Sequence, residues 1–346
     1  MIPREYADFS WQQAEQLLSI DSPTGYTDYA ALWLKSSFEM LGFAASITTK
    51  GGILVDLGGE NADDALLLAA HADTLGGMVA SVKGNGRLRL TPLGGMNPNN
   101  AETENVRIYT RGGKVLEGTF QLCNASVHVN GDYNAAKRSF DAMEVVLDED
   151  VKSADDTRKL GIEVGDIVCF DPRTRRTQSG YLKSRFLDDK LSVGILLGFA
   201  RYVADRKITL KRKTWLHITV YEEVGHGGSG SLPAGVTEAI SVDMGCVGDG
   251  LACTERQVSI CAKDSGGPYS YQVVGKLIEA AIKSEADYAV DVYPYYGSDV
   301  EATLRAGFDI RHGLIGPGVY ASHGYERSHI DGVWNTLKVL CGYLDC

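Results

Sequence analysis

The chain is predicted to be an α/β protein: a sheet-and-helix domain split by a small all-β module. Three observations predict it. Ala65–Ala70 is a continuous apolar run, as expected of a strand buried on both faces of a parallel sheet. Segments with apolar residues at helical spacing flank such strands at both ends of the chain. Between about Met78 and Gly180 the pattern changes to short alternating segments punctuated by Gly and Asn, as in GRLRLTPL and NVRIYTRGGKVLEGTFQL.

In order along the chain, Phe9–Leu18 reads as a helix. A second helix runs from Thr27 to Leu41, with Gly42 as its stop signal. Ala44–Thr48 and Ile53–Leu57 read as strands, then Ala65–Ala70. After Gly180 the α/β pattern resumes. Leu191–Asp205 carries Leu191, Ile195, Leu196, Phe199 and Val203 on one helical face. Thr214–Tyr221 and Ala239–Val242 read as strands, and Tyr269–Ala286 as a long helix. The expected division is 1–77 with 181–346 as one domain and 78–180 as the insertion.

The 346 residues suffice for two domains, and 23% charged with 44% apolar residues is an ordinary globular composition. A formal charge of −11 disfavours nucleic acid and anionic membranes as partners. MIPREYADFSWQQAEQLL lacks the pattern of a secretory leader, and the longest apolar run, LSVGILLGFA, is too short to span a bilayer. Seven cysteines without a CxxC pair read as reduced thiols, which predicts a cytoplasmic protein.

Polar residues gather where strands end. LLLAAHADTLGG places His71 and Asp73 after the apolar run. SRFLDDKLSVG places Asp188 and Asp189 before a helix, ITVYEEVGHGG ends a strand on Glu222 and Glu223, and AISVDMGC ends one on Asp243. YASHGYERSHI carries His323 and His329. Each feature alone has a plainer reading: a structural histidine, a helix N-cap, a solvated loop, a turn cap. Together they suggest a metal site, because open α/β sheets bind ligands beyond the carboxyl ends of their strands. Imidazole and carboxylate without thiolate suit zinc, cobalt, manganese or iron. Two metals need a bridging carboxylate and terminal ligands on each side. Asp73 can accept the other ring N–H of His71 and orient it. Of Glu222 and Glu223, one can bind metal while the other acts as general base. Lys263, in CAKDSGG, is either a reader of acidic substrate side chains or a solvated lysine.

HADTLG, LDDKLSVG, EEVGHGG, SVDMG, GSDVEATLRAG and SHGYE together resemble the dinuclear aminopeptidases of metallopeptidase family 42, which include tetrahedral, glutamyl and endoglucanase-labelled members. LTPLGGMNPNN and KLGIEVGDIVCFDPR resemble that family's β domain. The resemblance implies a zinc-exopeptidase-like domain, a mixed sheet sandwiched by helices, with an inserted β-barrel-like domain that drives oligomerisation. It implies two divalent metal ions per chain, zinc, cobalt or manganese. Asp188 would bridge them, His71 and Asp243 would complete one, and Glu223 and His323 the other. Glu222 would be the general base acting on a metal-bridging water, Asp73 would orient His71, and the Asp188–Asp189 peptide would be cis. The implied substrates are short peptides cleaved at their N-termini, and the implied assembly is a homo-oligomer, from dimer to tetrahedral dodecamer. Thr74, Lys190 and the spacing of Glu326 depart from the family pattern, and His329 is a rival ligand. A glycoside hydrolase using two carboxylates without metal, or a non-catalytic scaffold, are the alternatives.

Overall fold

The computed structural model describes residues 2–346, which divide into two compact units. The first comprises the residues up to Asp73 together with Arg173–Cys346, and the second is Thr74–Pro172. These limits lie inside the expected 78–180 at one end and outside it at the other, for a reason of strand pairing. The strand Gly76–Val82 pairs with Leu88–Leu93 and Ile167–Phe170 in the second unit. Arg175–Arg176 and Tyr181–Ser184 instead extend the first unit's sheet beside Glu326–His329.

The first unit is built on a 13-stranded mixed sheet. At its centre Asn61–His71 lies parallel to Arg212–Thr219 on one side and to Val236–Val242 on the other. Val236–Val242 is in turn parallel to Arg311–Tyr320. Ala65 through Ala70 are all buried, which accounts for a run with no polar alternation. Ala44–Ile47 and Ile53–Asp56 continue the sheet as an antiparallel pair on the Arg212–Thr219 side. Val258–Asp264 joins Arg311–Tyr320 antiparallel and Tyr288–Val292 parallel. The parallel strands therefore end on one edge, at His71, Thr219 and Val242.

Helices pack around this sheet. Leu187–Asp205 is buried on nearly every side, so it is apolar all round rather than striped. Glu5–Leu18 packs against it. Gly194 and Gly198 make that approach possible, because a Cβ on Gly194 would lie 2.4 Å from the Ser10 carbonyl oxygen and one on Gly198 2.0 Å from Ser10 Oγ. Ile330–Leu344 and Tyr271–Lys283 form a further helix pair. No helix among the described residues is long and apolar enough to cross a membrane.

The second unit is a closed six-stranded barrel in the order Gly76–Val82, Leu88–Leu93, Met143–Leu147, Val115–Leu122, Glu104–Tyr109, Ile167–Phe170. Alternate residues of these strands face inward. Leu88, Leu90, Val106, Ile108, Phe120, Val145, Val168 and Phe170 fill the interior, and Phe120 meets Phe170 edge-on at 5.5 Å. Closure leaves no unpaired strand edge in the barrel.

The Gly194 contact is testable. Gly194→Ala gains about 1 kcal/mol of helix propensity, but its methyl overlaps backbone that cannot move independently. Overpacking of this kind costs about 1–3 kcal/mol. We expect a net loss of stability, read as a lower midpoint in urea unfolding. A midpoint at or above that of the parent protein would contradict this packing.

Candidate metal centre

His71 is the last residue of the central strand. Its Nδ1 lies 2.9 Å from the Asp73 carbonyl oxygen. A carbonyl only accepts, so Nδ1 carries the proton and Nε2 presents a lone pair when the ring is neutral. That lone pair faces Asp188 Oδ1 at 3.2 Å and Glu222 Oε2 at 3.8 Å. Lone pairs at such distances repel unless a proton or a cation lies between them. Burial alone would lower the His71 pKa, but the carboxylates of Asp188 and Asp73 outweigh it and hold it well above the ordinary value.

Asp188 sits between two imidazoles. Its Oδ1 faces His71 and its Oδ2 lies 3.6 Å from His323 Nε2. His323 Nε2 is also 3.6 Å from Glu223 Oε2. Burial would raise the Asp188 pKa, yet hydrogen bonds from His323 and His71 hold it well below the usual carboxylate range. Asp188 and Asp189 have non-helical torsions at the start of Leu187–Asp205, and the bond between them is cis. Two groups of side chains could each hold a cation: His71, Asp188 and Glu223, and His71, Asp189 and Asp243. Within each group the ligand atoms lie within 4.8 Å of one another. None of these atoms is a thiol.

The electrostatics of the site call for a cation. Burial is the largest cause in pushing Glu223 up to about 8, Asp243 to about 7 and Asp299 to about 6. Glu222, Asp189 and Glu326 are also raised well above the ordinary range. Asp189 Oδ1 and Glu223 Oε1 are buried with no hydrogen-bond partner. Buried carboxylates are retained when they are paired or coordinate metal. This donor set, hard oxygens with two imidazoles, fits divalent first-row cations.

Backbone hydrogen bonds hold the acids in place. The Asp73 carboxylate is fully buried and accepts from the backbone N–H of Glu222 at 3.1 Å and of Glu223 at 3.3 Å, and from Thr24 Oγ1 at 2.7 Å. Its distance to His71 Nδ1 is 3.6 Å, so the shorter contact to that ring comes from the Asp73 backbone carbonyl. Glu326 works in the same way. Its Oε2 accepts from the Asp188 N–H at 3.0 Å and its Oε1 from the His323 N–H at 3.0 Å. Asp299 accepts from the Gly228 N–H at 2.6 Å and from the Thr219 hydroxyl. Lys50 donates to the carbonyls of His226 and Gly227 at 2.6 and 2.7 Å, tying down the loop that follows the two glutamates.

The structure thus brings His71, Asp73, Asp188, Glu222, Glu223, Asp243 and His323 together. It places His329 elsewhere. That ring donates from Nε2 to the Ser179 carbonyl at 2.8 Å and accepts at Nδ1 from the Asp331 N–H, capping Ile330–Leu344. Lys190 is buried against the carbonyls of Leu17 and Ile20. Lys263 donates to the Asp264 carbonyl and does not line the cavity over the centre. That cavity, about 490 Å³, is lined by Asp188, Glu222, Glu223, Asp243 and His323, with Arg305 as the lysine or arginine among its walls. Sequence reasoning assigned no role to Glu326, Asp299, Thr24 or Lys50. A carboxylate three residues after His323 was the one signal available for Glu326.

The M42 glutamyl aminopeptidase family model matches residues 51–339, and the chain belongs to that family. It is therefore an aminopeptidase, a hydrolase. It is 43% identical to the putative aminopeptidase YhfE of Bacillus subtilis (strain 168), over 330 residues that cover 95% of each chain. It is 25% identical to the glutamyl aminopeptidase of Lactococcus lactis subsp. cremoris over 225 residues, covering 63% of this chain and 61% of that one. Its fold matches the TET1 peptidase of Pyrococcus horikoshii with a TM-score of 0.84 at 19% identity, over 97% and 99% of the two chains.

His329→Ala separates the two C-terminal histidines. Losing the cap should lower the unfolding free energy by about 0.5–2 kcal/mol, seen in urea titration, while kcat/KM for an aminoacyl-p-nitroanilide stays within about twofold of the parent. A large fall in kcat/KM with stability unchanged would return His329 to the reacting centre.

Proposed function

We propose that this aminopeptidase is a dinuclear metalloenzyme removing N-terminal residues from short peptides. The observation that carries the proposal is Asp188, whose two carboxylate oxygens face different imidazoles. In this reading Asp188 would hold both cations, His71 and Asp243 would complete one, and Glu223 and His323 the other. When bound, two divalent cations (zinc, cobalt or manganese) supply an acidified water and an electrophile for the scissile carbonyl. Asp189 stands close enough to His71 and Asp243 to serve the first of these sites as well.

Glu222 is the general base. Its backbone N–H is held by Asp73, its carboxyl lies beside His71, and burial raises its pKa toward the working range of a base. It takes a proton from the attacking water and returns it to the leaving amine, so no net proton stays on the enzyme. Asp73 positions both glutamates, and its carbonyl fixes the His71 tautomer. The cavity's carboxylates also favour the protonated α-amino group of a peptide N-terminus, which would give exopeptidase selectivity. We further propose a homo-oligomer in the cytoplasm, with residues 74–172 as the dimerisation unit. The P. horikoshii peptidase, whose chain folds alike, assembles into a tetrahedron or a large octahedral shell.

Chelation should abolish hydrolysis of aminoacyl-p-nitroanilides, and zinc, cobalt or manganese should restore it. Activity that survives exhaustive chelation would remove the metal reading. Glu222→Gln should keep two metals per chain by elemental analysis and lower kcat by about 10²–10⁴-fold, the range of general acid–base catalysis. Full activity in that variant would exclude Glu222 as the base. Glu326→Gln turns one acceptor of the clamp into a donor. Metal affinity should fall by about 10–100-fold, measured by competition with a chromogenic chelator, and unchanged affinity would leave Glu326 without this function.

A further inference from the structure

The helix Ile330–Leu344 ends in an unusual closure. Asp345 adopts left-handed torsions, φ 55° and ψ 44°, and the Cys346 N–H donates to the Cys341 carbonyl at 3.0 Å. This is the Schellman arrangement, in which the residue after the left-handed position bonds back to the last turn, and their side chains commonly touch as an apolar pair. Glycine is the usual left-handed residue. Here Asp345 takes the place and is held by Lys211 at 2.9 Å and by Lys283. The two residues that the motif brings together are both cysteines.

We propose that Cys341 and Cys346 form a reversible dithiol–disulfide pair that reacts with small disulfides. Cys341 is 4% exposed, whereas Cys346 is half-buried, and both line one cavity of about 430 Å³ whose charged walls are Lys283, Lys338, Glu285 and Asp345. The exposed sulfur is the nucleophile and the buried one resolves. The electrostatics agree with that order: the neighbouring Cys341 lowers the Cys346 pKa below the ordinary thiol value, while Cys346 and burial raise that of Cys341. The Cys346 thiolate attacks one sulfur of the small disulfide, forming a mixed disulfide and releasing one thiolate. Cys341 gives its proton to that thiolate or to solvent, attacks Cys346 Sγ and expels the second small thiolate. Two protein thiols are oxidised, one disulfide is reduced to two thiols, and the protein loses two hydrogens.

Glutathione disulfide is the probe, applied to the metal-loaded native protein, followed by iodoacetamide and trypsin. Cleavage after Lys338 releases Val339–Cys346 with both cysteines. The expected peptide is unalkylated, lighter by two hydrogens than the reduced peptide, and returns to the doubly alkylated form after dithiothreitol. Cys341→Ser should stop at a glutathione adduct on Cys346, and Cys346→Ser should leave Cys341 unmodified. A parent peptide that stays doubly alkylated, or that accumulates the adduct without closing, overturns the proposal. The parent protein alone decides this, whatever the variants' stability.

Discussion

The chain concentrates carboxylates where the medium opposes them. Asp188, Asp189, Glu222, Glu223, Asp243 and Asp299 meet at one sheet edge, with two imidazoles to balance them. Charges at such separations repel strongly unless water or a cation screens them. Asp188 alone among these acids is held below its ordinary pKa, because it alone lies between His71 and His323. The others are pushed up, chiefly by burial. This concentration of buried acids is the constraint around which the first unit is arranged.

The rest of the first unit serves to hold that charge in place. Parallel strands bring His71 and Asp243 to the same edge, because their register aligns Ala69 with Ser241. The first turn of the helix beginning at Leu187 delivers Asp188 and Asp189 to that edge. It can lie deep in the fold because Gly194 and Gly198 let the N-terminal helix approach. A second set of acids then acts on backbone rather than on ligands. Asp73 and Glu326 each accept two N–H groups from segments that carry the candidate metal-binding side chains. Such bonds locate a ligand without adding to the donor set, which keeps the geometry of the centre separate from its chemistry.

The second unit solves a different problem. Its strands are short, and an open sheet of that size would leave edges to pair with other chains. Six strands closing on themselves around Phe120 and Phe170 remove the difficulty. The pattern of turns and alternation in residues 78–180 announced the β-strands of this module, because each strand has one wet and one dry face, but not its two short helices, Pro98–Ala101 and Ala154–Leu160. It did not announce the limits. Gly76–Val82 and Tyr181–Ser184 look alike as short strands, and which sheet each joins depends on partners far away in the chain.

By itself the sequence determined the kind of protein this is. A buried strand shows in an unbroken apolar run, and residues with metal-binding chemistry at strand ends stand out against it, so the α/β class, the β insertion and seven gathered residues were legible. Only the tertiary structure decided what each polar group faces. The Asp73 carboxylate turned mainly to the N–H groups of Glu222 and Glu223, and Glu326 clamped two backbones. His323 and His329, six residues apart, went to the side of Asp188 and to a helix cap. Periodicity reports how much water a side chain sees. Hydrogen-bond partners are chosen by long-range packing, and a linear pattern holds no record of it.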